Sequence, residues 1–259
     1  MLSNKNIIVT GAASGIGAQT SKILKQQGAN VIGLDRHPCT ENVDQFIQVD
    51  LTDPQSIDDA VAQLENIDGL CNVAGLPPTM DRLMVMKVNL LAVKYLTENL
   101  VAKMNDGASI VNVASMAGIG WPQSVDAIKD TLENATFDNI ESVCDKHDVE
   151  GPRSYFFSKE ALLVWTMRER WTWRDRGIRM NCVSPGPVDT PILKDFIETL
   201  GERAEEDMKV MDRAGTAEDI APVIAFLFSD ASAWVRGINI PTDGGMSSHV
   251  MEQMHQFAK

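Results

Sequence analysis

A short apolar, β-branched run, Asn6-Ile7-Ile8-Val9-Thr10, passes directly into Gly11-Ala12-Ala13-Ser14-Gly15-Ile16-Gly17 and then into a helical stretch that stops at Gly28. A run of this kind suits a strand buried on both faces of a parallel sheet. Strand, glycine turn and helix in this order restrict the fold sharply. The glycines permit a tight turn and let the backbone approach a pyrophosphate, which then rests on the amides at the helix N-terminus. The spacing is G-x-x-x-G-x-G, so the flanking strand and helix carry the dinucleotide-binding reading more than the glycines do. Gly11, Ser14, Gly15, Ile16 and Gly17 are the expected phosphate-side residues.

A second strand, Asn30-Val31-Ile32-Gly33-Leu34-Asp35, ends in a carboxylate where an adenosine ribose should lie. Asp35 can accept a hydrogen bond from a ribose 2′-hydroxyl, whereas a 2′-phosphate there would meet like charge. NAD is therefore expected over NADP. Arg36 leaves the alternative open, because a guanidinium beside Asp35 could hold a phosphate.

Short apolar strands then alternate with helical stretches. Further strands are expected near 45–50, 67–73, 108–114, 178–184 and 237–241, and helices near 54–65, 80–104, 153–175 and 216–229. Such alternation implies right-handed crossovers. The fold class is α/β: one doubly wound, Rossmann-type parallel sheet with helices on both faces, formed by residues 1–259 as a single domain. Ligands of such sheets bind at the carboxyl ends of the strands. Thr10, Asp35, Asp50, Ala74 and Ser115 all fall at such ends.

Tyr155 and Lys159 stand four apart in Tyr155-Phe156-Phe157-Ser158-Lys159, which on a helix places them on one face, about 5–6 Å apart at Cβ. A phenol titrates near 10, so alone it is a poor base at neutral pH. A cation roughly 5 Å away favours the phenolate by ~3 kcal/mol at an effective dielectric of about 20. That corresponds to about two pKa units downward, enough to poise the hydroxyl for proton exchange.

Together these segments resemble the short-chain dehydrogenase/reductase family along nearly the whole chain. Thr10 to Gly17 resembles its T-G-x-x-x-G-I-G, and Asp50-Leu51 matches the position beside the adenine ring. Asn72-Val73-Ala74-Gly75 resembles N-[NA]-A-G, with Val73 as a mild departure. Pro185-Gly186-Pro187-Val188-Asp189-Thr190 resembles the segment that holds the nicotinamide. The resemblance implies a tetrad of Asn89, Ser115, Tyr155 and Lys159. In it Tyr155 exchanges the alcohol proton, Ser115 holds the substrate oxygen, Lys159 also reaches the nicotinamide ribose, and Asn89 supports a water linking Lys159 to solvent. The cofactor residues it implies are Asp50, Leu51, Asn72, Ala74, Gly75, Tyr155, Lys159, Pro185, Gly186, Val188 and Thr190, besides the glycine turn and Asp35. It further implies a homo-oligomer, dimer or tetramer.

Residues 116–154 separate Ser115 from Tyr155 by far more than in most relatives. Val125, Ile128 and Leu132 mark one amphipathic helix, and Phe137, Ile140 and Val143 a second. Two readings stay open: a solvated helical hairpin without a role in binding, or a wall of the substrate cleft that also blocks one oligomer interface. Trp121 follows Ser115 closely enough to reach a ring bound at the catalytic centre. Residues 190–213 resemble the family's substrate lid, with Ile192, Phe196, Leu200, Met208 and Met211 as its apolar face, which could equally be core.

Within the family the long insertion, with Asp68-Gly69-Leu70-Cys71-Asn72, Lys94-Tyr95-Leu96-Thr97-Glu98 and Ile238-Asn239-Ile240-Pro241, resembles bacterial enzymes of coniferyl-type alcohols and, less closely, of hydroxysteroids. The expected activity is NAD-dependent interconversion of an uncharged aromatic or allylic alcohol and its carbonyl. The alternatives are a hydroxysteroid dehydrogenase/carbonyl reductase and, remotely, a non-catalytic NAD-binding sensor.

Composition sets the exclusions. A net charge of −13 argues against nucleic-acid or anionic-membrane partners, leaving a small molecule. No run approaches 18 apolar residues and no signal-peptide pattern opens the chain. Cys39, Cys71, Cys144 and Cys182 form no C-x-x-C spacing, and His37, His147, His249 and His255 no ligand cluster. They are read as reduced thiols of a cytoplasmic protein that binds no metal.

Overall fold

The computed structural model describes residues 2–190, 192–201 and 209–256. Its parallel sheet comprises β1 (Asn6–Thr10), β2 (Asn30–Asp35), β3 (Gln45–Gln48), β4 (Ile67–Asn72), β5 (Met104–Val113), β6 (Arg179–Pro185) and β7 (Asn239–Thr242). The strand order is β3-β2-β1-β4-β5-β6-β7. Strand β1 pairs with β2 on one side and β4 on the other, Ile7 lying between Val31 and Gly69. The order reverses there, and a crevice opens beyond the carboxyl ends of β1 and β4.

Alternation along β1 divides the core. Ile8 packs into a layer with Leu34, Leu70 and Ile110, whereas Ile7 and Val9 join Val31, Val111 and Val183 in the layer on the other face. Successive strand side chains point to opposite faces, so a buried strand must be apolar at every position. Helices α1 (Gly15–Gln26) and α9 (Ala217–Phe228) cover the second layer. The first is covered by α2 (Pro54–Ala62), α3 (Arg82–Met86), α4 (Ala92–Leu100) and α7 (Arg153–Arg168). Asp53 caps α2 by accepting from the Gln55 amide, with Pro54 at the first helical position, where its missing N–H costs nothing.

The expected hairpin is present as α5 (Val125–Asn134) and α6 (Ile140–Lys146). Ile128, Leu132, Ile140 and Cys144 are buried in the same layer as the sheet and α7, so the insertion is no solvated appendage. Three expectations are corrected in detail. The helix expected over 80–104 is interrupted by a π-helical turn, Lys87–Leu91, and ends in a 3₁₀ turn, Val101–Lys103. Helix α7 ends at Arg168, followed by 3₁₀ turns at Glu169–Trp171 and Arg174–Arg176 before Gly177 turns left-handed at φ 70°. Two helices had no counterpart among the expected elements: α8 (Leu193–Leu200) and α10 (Met246–His255). In α10 only Met246 is buried, so no apolar stripe betrays it.

Candidate active site

At the N-terminus of α1 a Cβ on Gly17 would lie 2.0 Å from the Gly11 carbonyl oxygen, so the helix meets the turn as closely as backbone allows. Ser14 flanks the helix without capping it through its side chain, which leaves the first amides facing the crevice. At the end of β2, Asp35 is pinned by two amides, accepting from Ala13 at 3.1 Å and His37 at 2.9 Å. Arg36 is turned onto its neighbour, its Nε donating to His37 Nε2 at 3.1 Å. The Asp50 carboxylate accepts from the Thr52 amide and hydroxyl, which holds it below the usual carboxylate range against the pull of burial.

These residues line a cavity of about 360 Å³ with Gly11, Ser14, Gly15, Ile16, Gly17, Leu51, Ala74, Gly75 and Thr190. It runs into a second cavity of about 390 Å³, the two sharing Ile16, Val73, Gly75, Leu76, Thr190 and Ile192. Ser115, Tyr155, Lys159, Pro185, Gly186, Val188 and Phe196 line the second. Two ends of one cleft thus carry the two halves of the expected site.

Two expected residues stand behind the cleft wall. Asn72 is buried between strands, its Nδ2 donating to Asn112 Oδ1 at 2.9 Å and Thr97 Oγ1 at 3.2 Å. Asn89 sits on the π-helical turn, a distortion that often marks functional positions. Its amide clamps the backbone of one residue, accepting from Leu76 N at 2.7 Å and donating to Leu76 O at 3.0 Å. Thr10, whose role the sequence left open, accepts from the Val73 and Ala74 amides and so ties the ends of β1 and β4 together.

At the catalytic end Ser115 starts a 3₁₀ stretch (Met116–Gln123), its Oγ accepting from Ala117 N at 3.1 Å. Lys159 is buried, its Nζ donating to the Val113 carbonyl at 2.9 Å and lying 5.7 Å from the Tyr155 ring centroid. Phe196 of α8 stands edge-on to Tyr155 at 4.8 Å. The expected downward shift of the phenol is not what the protein alone produces. Burial pushes Tyr155 up to about 12, with the Ser115 hydroxyl pulling the other way. Burial likewise pushes Lys159 down to about 8. Both groups lose hydration, and desolvation favours the neutral form of each.

Other lid and insertion residues divide. Ile192, Leu193, Phe196 and Ile197 face the catalytic cavity, while Met211 packs near Gly244 and lines a separate hollow with Arg213 and Asp219. Pro191 and 202–208, including Met208, lie outside the described residues. Trp121 is half-buried against the core and does not line the Tyr155 cavity. It lines an adjoining one of about 680 Å³ that shares Ser115, Met116 and Ile119 with it. Wall residues missed in the sequence include Phe156, Glu160, Gly120 and Val250. Phe156 and Glu160 could have been found from the same four-residue spacing, one position beyond Tyr155 and Lys159. Among the described residues no cluster could hold a metal ion, and no helix is long and apolar enough to cross a membrane.

A dinucleotide crevice joined to a buried Tyr–Lys–Ser constellation defines an oxidoreductase that uses a nicotinamide cofactor. The comparisons specify the family. Residues 5–125 match the model described as short chain dehydrogenase, and residues 125–247 the one described as Enoyl-(Acyl carrier protein) reductase. The chain is 44% identical over 250 residues to coniferyl-alcohol dehydrogenase of Pseudomonas sp. (strain HR199 / DSM 7063), covering 95% of this chain and 98% of that one. Identity to the 3-alpha-hydroxysteroid dehydrogenase/carbonyl reductase of Comamonas testosteroni is 28% over 255 residues, covering 93% and 96%. Among solved structures, the 3-alpha-hydroxysteroid dehydrogenase from Pseudomonas sp. B-0831 complexed with NADH superposes with a TM-score of 0.84 at 26% identity, covering 98% and 100%. The chain belongs to the short-chain dehydrogenase/reductase family.

Proposed function

We propose that the protein is an NAD-dependent dehydrogenase of an uncharged aromatic or allylic alcohol, with Tyr155 as its acid/base. The observation that carries this reading is the catalytic cavity itself. It is walled mainly by apolar side chains, and among the described residues its only charged ones are Lys159 and Glu160. Among the described residues no arginine lines it to clamp a carboxylate or phosphate. Likeness to the coniferyl-alcohol dehydrogenase supports the same substrate class.

The residues present fit a dinucleotide: the uncapped amides of α1 suit a pyrophosphate, and the pinned Asp35 carboxylate suits a ribose diol. Because Asp35 is fixed and Arg36 engages His37, NAD is the proposed cofactor over NADP. When bound, the nicotinamide supplies the hydride acceptor for alcohol oxidation. Tyr155 Oη takes the hydroxyl proton, Ser115 Oγ orients the substrate oxygen, and the Lys159 ammonium favours the phenolate. Asn89 holds the Leu76 backbone beside Gly75, where a Cβ would fall 3.4 Å from Asn89 Oδ1 and 3.7 Å from Lys159 Nζ. It thereby shapes the backbone wall beside Lys159.

A second reading, a hydroxysteroid dehydrogenase/carbonyl reductase, draws on the adjoining cavity lined by Trp121, which offers room beyond Ser115. We also infer a cytoplasmic protein, its four cysteines being free and buried, and, on the family likeness alone, a homo-oligomer. Spectrophotometric assay with NAD or NADP against a cinnamyl-type alcohol, a 3α-hydroxysteroid and a short aliphatic alcohol tests the reading. Preferred oxidation of the cinnamyl-type alcohol with NAD is the expected result. Preference for the steroid would select the second reading, and turnover of none would overturn both.

A further inference from the structure

Glu160 is a charged wall residue that the proposed chemistry does not use. On α7 it follows Phe156 by one turn, as Lys159 follows Tyr155, so the two pairs form adjacent stripes facing the cavity. Glu160 is 4% exposed. Its carboxylate is held bidentate by Arg153, with Nη1–Oε1 at 2.8 Å and Nη2–Oε2 at 2.6 Å. Arg153 is steadied in turn from outside the cavity, its Nη2 donating to Ser124 Oγ at 2.8 Å and its guanidinium lying 5.4 Å from the Phe157 ring centroid. Opposite, Gly120 lets the insertion backbone run against the carboxylate, since a Cβ there would stand 2.9 Å from Glu160 Oε1. Gly120 also lines the cavity.

A carboxylate offers about four acceptor sites, and Arg153 occupies two. Among the described residues Glu160 has no other side-chain hydrogen-bond donor. An acceptor of this kind on an apolar wall favours a ligand group that donates a hydrogen bond. Because Arg153 balances the charge, the matching group is neutral: a hydroxyl rather than an ammonium. An anionic group would meet the carboxylate edge.

We propose that Glu160 is a specificity-determining residue that accepts a hydrogen bond from a second hydroxyl of the substrate, remote from the reacting carbinol, as on a phenol. The assignment rests on the aryl-alcohol reading above and narrows its substrate class to hydroxylated rings. Arg153 is the positioning residue that keeps the carboxylate aimed.

The test compares 4-hydroxycinnamyl alcohol with cinnamyl alcohol, each with NAD and the full-length enzyme. Wild type is expected to favour the phenol at least tenfold in kcat/KM, mainly through KM. Glu160→Gln should bring the ratio below threefold. Gly120→Ala, whose methyl would crowd Oε1 and displace the carboxylate from its place on the wall, should lower it as well. Ser124→Ala touches Arg153 only from outside the cavity and should keep the wild-type ratio. A wild-type ratio within threefold overturns the assignment while the aryl-alcohol reading stands. So does a ratio untouched in Gly120→Ala, or one lost equally in Ser124→Ala, which would reduce Glu160 to a structural strut. Turnover of neither alcohol overturns the assignment and the reading beneath it together.

Discussion

Tyr155 and Lys159 are buried at a cost in stability, as the proposed chemistry requires. Each is buried, and each is held away from its ionised form by lost hydration. With Tyr155 pushed up to about 12, the protonated phenol dominates at neutral pH in the protein alone, so alcohol oxidation should accelerate as pH rises above 7 and carbonyl reduction should slow. Tyr155→Phe should cut turnover by roughly 10²–10⁴-fold while NAD affinity, read by fluorescence titration, stays nearly constant. Retention of more than a tenth of the turnover would remove Tyr155 from the mechanism. Lys159 gives a sharper test. Its folded value, about 8, lies below its ordinary 10.5, so between those values the unfolded chain binds more protons and stability gains as pH rises. The penalty is fully present below pH 8. Lys159→Met keeps the bulk and removes the charge, at the loss of one hydrogen bond to Val113 O. The cofactor-free variant should therefore be inactive yet melt a few degrees above wild type at pH 7, on the order of 1–2 kcal/mol. The gap should close as the pH is raised towards 10. A variant less stable at every pH would show that the ammonium is better solvated than its burial implies.

At the scale of elements α7 is braced on both sides. The insertion packs α5 onto its flank, and α8 lays Phe196 against Tyr155 while Asp195 accepts from Thr79 across the cleft. If α5 belongs to the same cooperative unit as the sheet, Ile128→Ala should lower the single melting transition by about 2–5 kcal/mol, the range for a buried aliphatic truncation. A separate early transition would show the insertion to be an independent lobe. This architecture was legible where the sequence carries period. The unbroken apolar strands, the glycine turn and the Ile128/Leu132 spacing each required one geometry. It was illegible where tertiary contact decides. The π-helical turn at Asn89 has no local signature, because a clamp on the Leu76 backbone forms only once the loop after β4 folds back. Helix α10 buries only Met246 and so shows no stripe. Trp121 was placed by proximity along the chain, but the 3₁₀ stretch after Ser115 carries it into the adjoining cavity. Asn72 fell at the right strand end, yet it points inward to Asn112.

For the whole molecule the remaining question is which surface meets a second copy. The flank of α7 that faces the insertion is occupied by α5, with Ile128 and Leu132 buried in the shared core. At the other end, among the described residues, the sheet stops at β7, paired only with β6, and Pro241 sits in that strand as edge strands tolerate. Around this open edge stand Trp234, 97% exposed, and Ile238, 47% exposed, which precedes β7 directly. Large apolar side chains beside an unpaired edge are a liability for an isolated chain and an asset at an interface. The proposed oligomer should therefore assemble across the β7 edge. Since each copy carries a net charge of −13, added salt should tighten it by screening their repulsion. Trp234→Glu combined with Ile238→Glu adds charge at that edge and touches neither cavity. Light scattering at micromolar concentration should give a multimeric mass for wild type and a monomeric one for the double variant, with the melting temperature of the variant's chain fold little changed. A variant that keeps the parent mass would move the interface away from β7, and a wild-type monomer would overturn the proposed oligomer and leave Trp234 uncovered.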